Sequence, residues 1–186
     1  MQKSKRLQLF PDTTTIENNA LSIGGHGLAG LAGEFGTPLY VYDRATMDGV
    51  VARYKSALKT HYPGAALITY AGKAFLCAAI AKWAQDQGLW VHCTGASEIA
   101  TALAGGLPQA SILVHGVNKS DAELDLAIHN AGTIVVDDLG ELQRLVSRLS
   151  LPSDRVGRRT RWRVCGCASK QGLRRGRRMP TLRPAK

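Results

Sequence analysis

Four short apolar runs start near Ala66, Leu89, Ser111 and Thr133, 22 or 23 residues apart, and no other feature constrains the fold of this chain as strongly. Each run is followed by a stretch whose apolar residues recur at spacings of three and four, the mark of an amphipathic helix. Strand and helix alternating at that pitch fit parallel strands joined by right-handed helical crossovers. A doubly wound sheet and a (β/α)8 barrel both satisfy the pattern. The pitch is short and no strand opens a glycine-rich phosphate loop, which favours the barrel.

The rhythm predicts individual elements. Pro38-Leu39-Tyr40-Val41-Tyr42 reads as a first strand, and Asp43 as the cap of a helix carrying Met47, Val50, Val51 and Leu58. A strand over 67–70 precedes a helix with Phe75, Ala79, Ile80 and Trp83 on one face. Strands follow at 89–93, 111–115 and 133–136, with helices at 96–104, 121–130 and 139–149. Ser120-Asp121-Ala122-Glu123 is a capping box, serine to glutamate three residues on, and Asp138 offers a similar acidic cap. Gly25-His26-Gly27-Leu28-Ala29-Gly30 matches G-x-G-x-x-G by the letter, but the stretch before it is polar and broken. A loop entering a short helix is expected there rather than a dinucleotide site.

Composition narrows the class. The chain is 45% apolar, and no apolar run is long enough to span a bilayer. The basic start, Met1-Gln2-Lys3-Ser4-Lys5-Arg6, leads into no apolar segment, so no signal peptide is expected. Cys77, Cys93, Cys165 and Cys167 lack a metal-ligand rhythm, and Cys165-Gly166-Cys167 alone is a weak one. No metal is expected, and a reduced, cytoplasmic protein is the default. The net charge of +10 is concentrated: 12 of the 24 basic residues, but one acid, Asp154, fall in residues 151–186. Such asymmetry suits either a nucleic-acid-binding tail or a segment foreign to the domain before it.

One lysine stands out. Lys73, in Thr69-Tyr70-Ala71-Gly72-Lys73-Ala74, falls where a strand ends and the chain turns toward a helix. In (β/α)8 barrels the chemistry sits at the carboxyl ends of the strands. A lysine pointing there into a cleft with apolar walls would have its pKa lowered and its amine freed as a nucleophile. An aldehyde cofactor is the natural partner, and pyridoxal phosphate is the commonest one held by a lysine Schiff base. Position alone fits a solvated lysine at a helix start equally well.

Five stretches in order, over about residues 20–150, resemble the diaminopimelate decarboxylases, in the group that also includes the ornithine and arginine decarboxylases. Gly36-Thr37-Pro38-Leu39-Tyr40-Val41-Tyr42-Asp43 is similar to their entry signature, and Tyr70-Ala71-Gly72-Lys73-Ala74-Phe75 to their Y-A-x-K-A-N-like lysine motif. Gly95-Ala96-Ser97-Glu98-Ile99 resembles S-G-G-E-L, and His115-Gly116-Val117-Asn118-Lys119-Ser120 resembles H-G-N-N-K-S. Val135-Val136-Asp137-Asp138-Leu139-Gly140-Glu141-Leu142 resembles V-V-D-S-x-x-E-L. The resemblance implies an alanine-racemase-like (β/α)8 TIM barrel, pyridoxal 5'-phosphate on Lys73, His92 and His115 near the cofactor, a homodimer, and conversion of meso-2,6-diaminopimelate to L-lysine. Phe75, Val117 and His92 depart from the pattern. His92 stands where many relatives carry an aspartate; it can hydrogen-bond there, or serve only as a packing histidine, but it cannot supply a fixed negative charge.

The family's enzymes are much longer, and about four of their eight barrel strands are accounted for. On this pitch a fifth strand is due near 154–159, where the chain becomes arginine-rich without an alternating apolar run. A shifted reading frame in a GC-rich gene would produce such text. The expected organisation is a lead-in over 1–35, the first part of the pyridoxal-binding barrel over 36–150, and a disordered basic tail over 151–186. The expected function is that of an inactive fragment of the decarboxylase. Two other classes compete: a cofactor-binding pseudoenzyme or regulator, and a nucleic-acid binder acting through the tail. The shorter pyridoxal-phosphate barrels of the homeostasis type lack the G-T-P-L-Y-V-Y-D entry strand.

Overall fold

The computed structural model describes residues 7–149 and 163–166, and for the last four the backbone alone. The chain divides into two units, Met1–Ala66 and Leu67–Lys186.

In the first unit β1 (Thr15–Glu17), β2 (Ala20–Ile23) and β3 (His26–Gly27) form an antiparallel sheet in that order. Asn18 and Asn19 both have positive φ in the turn between β1 and β2, which asparagine tolerates better than most residues. Helix α1 (Leu28–Phe35) follows at once, so the G-x-G-x-x-G letters do open a short helix after a two-residue strand. Helix α2 (Arg44–His61) is capped by Asp43. The Asp43 carboxylate accepts from the Thr46 backbone at 3.1 Å and from the Thr13 hydroxyl at 2.9 Å, and also from the Thr46 hydroxyl. The Thr46 hydroxyl is the main cause that holds the Asp43 pKa below its usual value.

The first predicted strand is absent. Residues 38–42 join no sheet among the described residues, and Leu39, Tyr40, Val41 and Tyr42 are exposed. Their β-prone side chains favour extended backbone, but a strand also needs a neighbouring ladder, which a local pattern cannot supply.

The second unit follows the pitch closely. Strands β4 (Thr69–Ala71), β5 (Trp90–Cys93), β6 (Ile112–Val114) and β7 (Thr133–Val136) lie parallel and in sequence order. Helices α3 (Ala78–Asp86), α4 (Ala96–Ala104) and α5 (Asp121–Asn130) connect them, and α6 (Leu139–Leu149) follows β7. Helices α4, α5 and α6 and strand β7 begin and end where the sequence places them. Ser120 and Glu123 form both halves of the capping box. In parallel pairing, partners in register share a face. Val91 pairs with Ile112, and Cys93 with Val114, on a fully buried face. Ala71, His92 and Leu113 form the opposite row, and each is only half-buried. Ile80, Trp83, Ile99 and Leu124 supply the buried helical side of this core. Burying each such side chain is worth about 1.5–3 kcal/mol.

Beyond the four strands given by the pitch, β8 (Arg163–Gly166) pairs in parallel with β7, Thr133 opposite Arg163. It begins later than the expected 154–159, and the expectation of a tail without structure fails for these four residues. The open side of β7 presents a row of backbone donors and acceptors, and any extended backbone can satisfy them whatever its side chains. The rest of the expected tail lies outside the described residues.

Two glycines set how closely elements pack. A Cβ on Gly105 would lie 2.4 Å from the Ala81 Cβ, and one on Gly132 would lie 2.5 Å from the Ala110 carbonyl oxygen. The backbone at 110 cannot retreat without disturbing the approach to β6. Gly132→Ala should therefore destabilise the fold by about 1–3 kcal/mol through overpacking, read as a lower urea midpoint. Gly33, inside α1 with nothing near its missing Cβ, is the control. There the change to Ala should stabilise by about 0.5–1 kcal/mol.

Candidate functional site

Because the strands are parallel, their carboxyl ends share one edge of the sheet, and the predicted site residues meet there. Lys73 lies in a single 3-10 turn, Gly72–Ala74, directly after β4. His92 is in β5, opposite Ala71. His115 follows β6, its backbone amide donating to the Cys93 carbonyl at 2.9 Å. The His92 and His115 rings meet edge to face, with centroids 4.9 Å apart and planes at 62°.

Gly72 governs the approach of the lysine to β5. It is buried, and a Cβ there would stand 3.0 Å from the His92 carbonyl oxygen and 3.5 Å from the Glu98 carboxylate. A side chain at 72 would push the turn off β5. The cleft with apolar walls expected around Lys73 is not formed by the described residues. Its immediate neighbours, Gly72 and Ala74, are too small to wall it, and the Lys73 side chain is exposed.

His92 is perturbed. Its pKa is held below the ordinary histidine value, first by burial, then by the charges of His115 and Lys73; Glu98 pulls the other way. Its Nε2 is buried without a hydrogen-bond partner. At neutral pH it is a neutral imidazole with one ring nitrogen free to give or accept a hydrogen bond, depending on tautomer.

Sequence reasoning quoted the motif containing Glu98 but gave that residue no role. It tethers the loop after β5, accepting from the Thr94 amide at 2.6 Å and the Thr94 hydroxyl at 3.1 Å. With Glu98 it brings a carboxylate to the edge where His92 supplies none. The Cys93 thiol, pushed up to about 12 chiefly by burial, is inert. No cluster of three metal-ligating side chains occurs among the described residues. Val117 and Phe75, two departures from the motif pattern, are exposed.

The described residues define a parallel α/β protein with a lysine and a histidine pair on the carboxyl edge of its sheet. Comparison with known proteins specifies which. Residues 47–159 match the family described as pyridoxal-dependent decarboxylase, pyridoxal binding domain. The chain is 35% identical over 151 residues to the diaminopimelate decarboxylase of Synechocystis, covering 76% of this chain and 32% of that protein. It is 40% identical over 140 residues to that of Mycobacterium tuberculosis, covering 72% and 29%. The crystal structure of diaminopimelate decarboxylase from M. jannaschii in co-complex with L-lysine superposes with a TM-score of 0.69 at 28% identity, over 74% of this chain and 33% of that one. AQ1208 from Aquifex aeolicus gives 0.65 at 27%, over 82% and 36%. The chain belongs to the pyridoxal-dependent decarboxylases and carries their pyridoxal binding domain in part. It spans about a third of the length of these relatives.

The His92 shift has a sign that can be measured. A histidine whose folded pKa lies below its unfolded one resists protonation only when folded. Its contribution to stability is fully present above about 6.5 and is lost as pH falls through the folded value. On acidification from about pH 7.5 to about pH 5, the thermal midpoint of the chain should fall further than that of His92→Asn. Parallel curves for the two proteins would contradict the assignment.

Proposed function

We propose that the chain forms the lysine-bearing flank of a site for pyridoxal 5'-phosphate, in a decarboxylase that converts meso-2,6-diaminopimelate to L-lysine. The observation that carries this reading is the exposed Lys73 at the carboxyl end of β4, beside the His92–His115 pair. The residues present fit the group. An aldehyde needs an accessible amine, which Lys73 offers, and a heteroaromatic ring suits the neighbourhood of imidazole faces. The unpartnered Nε2 of His92 is a buried polar atom that a polar ligand would satisfy.

The bound cofactor would supply an electron sink for the pair left on carbon as CO2 departs. This chain's residues have other tasks. Lys73 would hold the aldehyde covalently through its Nζ. His115 would present a ring face from the start of the loop that follows β6. His92 would donate or accept one hydrogen bond from a neutral ring, so a fixed negative charge must come from elsewhere. Glu98, already held by Thr94, is the carboxylate placed to influence the charge at His92.

Support for diaminopimelate as the substrate comes from the relatives: the curated proteins cited are diaminopimelate decarboxylases, and one solved structure holds L-lysine. A homodimer and a cytoplasmic location belong to the same reading. Among the described residues no helix is long and apolar enough to cross a membrane.

Among the lysines of the second unit with described side chains, Lys73 is the best placed to react with an aldehyde. Lys119 is 3% exposed and paired with Glu141, and Lys82 pairs with Asp86. Incubation with pyridoxal phosphate, borohydride reduction and peptide mapping should place the label on Lys73, and Lys73→Ala should remove most of it. Label mainly on Lys82 or Lys119 would refute the assignment.

A further inference from the structure

A buried ion pair lies just behind this edge, and no role in binding or chemistry accounts for it. Lys119 Nζ lies 2.8 Å from Glu141 Oε1, with side-chain exposures of 3% and 0%. The same ammonium donates to the Gly116 carbonyl at 2.6 Å and the Val135 carbonyl at 3.0 Å. All three of its protons are thus engaged.

Stability alone is a poor reason for such a pair. Two charges taken out of water cost several kcal/mol each, and apolar replacements of similar volume are often neutral or stabilising. What the pair does locally is more specific. Residues 116–119 belong to no helix or strand, so no ladder fixes their path. Asn118 takes a positive φ of 51°, which turns the chain so that Lys119 reaches back over its own loop. Its ammonium then grips the carbonyl of Gly116, the residue next to His115. Helix α6 supplies the anchor twice. Glu141 holds the ammonium, and Arg144 donates to the Lys119 carbonyl at 2.9 Å.

We propose that the Lys119–Glu141 pair is a positioning device: through the Gly116 carbonyl it fixes the backbone carrying His115, and so holds the His115 ring edge to face against His92. Lys119 and Glu141 are positioning residues, acting through His115 and touching no ligand. The proposal rests on the reading that this histidine pair borders the pyridoxal site, because only then does the orientation of His115 serve a function.

The test uses the full 186-residue chain. Lys119→Met/Glu141→Leu removes both charges and keeps apolar volume, so the fold should persist with a thermal midpoint near the parent's. The reading is the titration of the His92 ring protons by NMR. The groups that face His92 are His115 from the end of β6, Lys73 from the turn after β4, and Glu98 from α4. In the parent its midpoint lies below the ordinary value. With the grip on Gly116 lost, His115 should leave the stack, burial of His92 should lessen, and the midpoint should move up toward about 6.5. Gly105→Ala, destabilised where α4 meets α3 rather than through β6 or β7, should leave it in place, which separates positioning from general loosening.

A double variant that folds with the parent's His92 titration would overturn the proposal and leave the pair a mere staple. If the double variant does not fold, Lys119→Met is read in the same way, since its stranded Glu141 can take up a proton instead of remaining charged. Failure of both to fold would also overturn it, because the pair would then serve the fold itself. Borohydride labelling of Lys73 in the parent is run beside these. No label on Lys73 would sink the cofactor reading, while the effect of the pair on His92 is decided by the titration alone.

Discussion

An ammonium group out of water must find three acceptors, and Lys119 finds them in three different segments of the second unit. One is the carbonyl of its own loop, one belongs to β7 and one is a carboxylate of α6. That single side chain therefore sets the spacing of the loop after β6, the strand β7 and the helix that covers it. Around it the charges are less buried and cheaper. Arg144 and Arg148 bridge from α6 to Asp121, and Arg148 also reaches Asp125, all nearer the solvent. Exposed pairs of this kind contribute about 0–1 kcal/mol each, whereas removing one partner of a buried pair costs about 3–5 kcal/mol. The outer charges join α5 to α6; the inner pair ties the loop after β6 to β7 and α6.

Strand direction then does the rest. In a parallel sheet every strand delivers its carboxyl end to one edge, so residues distant in sequence but at equivalent places in the pitch become neighbours. Lys73, His92 and His115 are separated by about one repeat each and come together for that reason. Strand pleating adds a second sorting. Val91, Cys93, Ile112 and Val114 point to the fully buried face, while Ala71, His92 and Leu113 take the face that is less covered. The polar ring of His92 thus emerges on the less covered side, without any special backbone geometry in β5.

Much of this was legible because it is local. Helices α4, α5 and α6 each combine a period of three to four with a start signal, and the Ser120–Glu123 box fixes the first turn of α5 to the residue. What could not be read depends on partners far away. The 38–42 segment has strand-like side chains and no ladder, while Arg163–Gly166 has unpromising side chains and a ladder beside it. Propensity misled in opposite directions because pairing, not propensity, makes a strand. The same holds within the site. The place of Lys73 followed from the strand-to-helix switch, but its exposure depends on what stands opposite. Lys119 and Glu141 were visible as letters in two separate motifs. That they share a buried contact at 2.8 Å is a fact about the crossover between them, and no spacing encodes it.

The residue that makes the edge work as a unit is the one with no side chain. Gly72 packs against β5 so closely that a Cβ would stand 3.0 Å from the His92 carbonyl oxygen, with the Glu98 carboxylate in ordinary contact at 3.5 Å. Contact at that range fixes the start of the Lys73 side chain relative to β5 before any rotamer is chosen. The lysine can then be exposed while its base is placed by packing, which suits the proposed role of an amine held beside two imidazoles. Glu98 sits on the far side of the same contact, and its ties to Thr94 keep it from swinging away. A larger residue at 72 would therefore shift more than one bond. It would move the base of Lys73 away from the strand that carries His92 by a few tenths of an ångström.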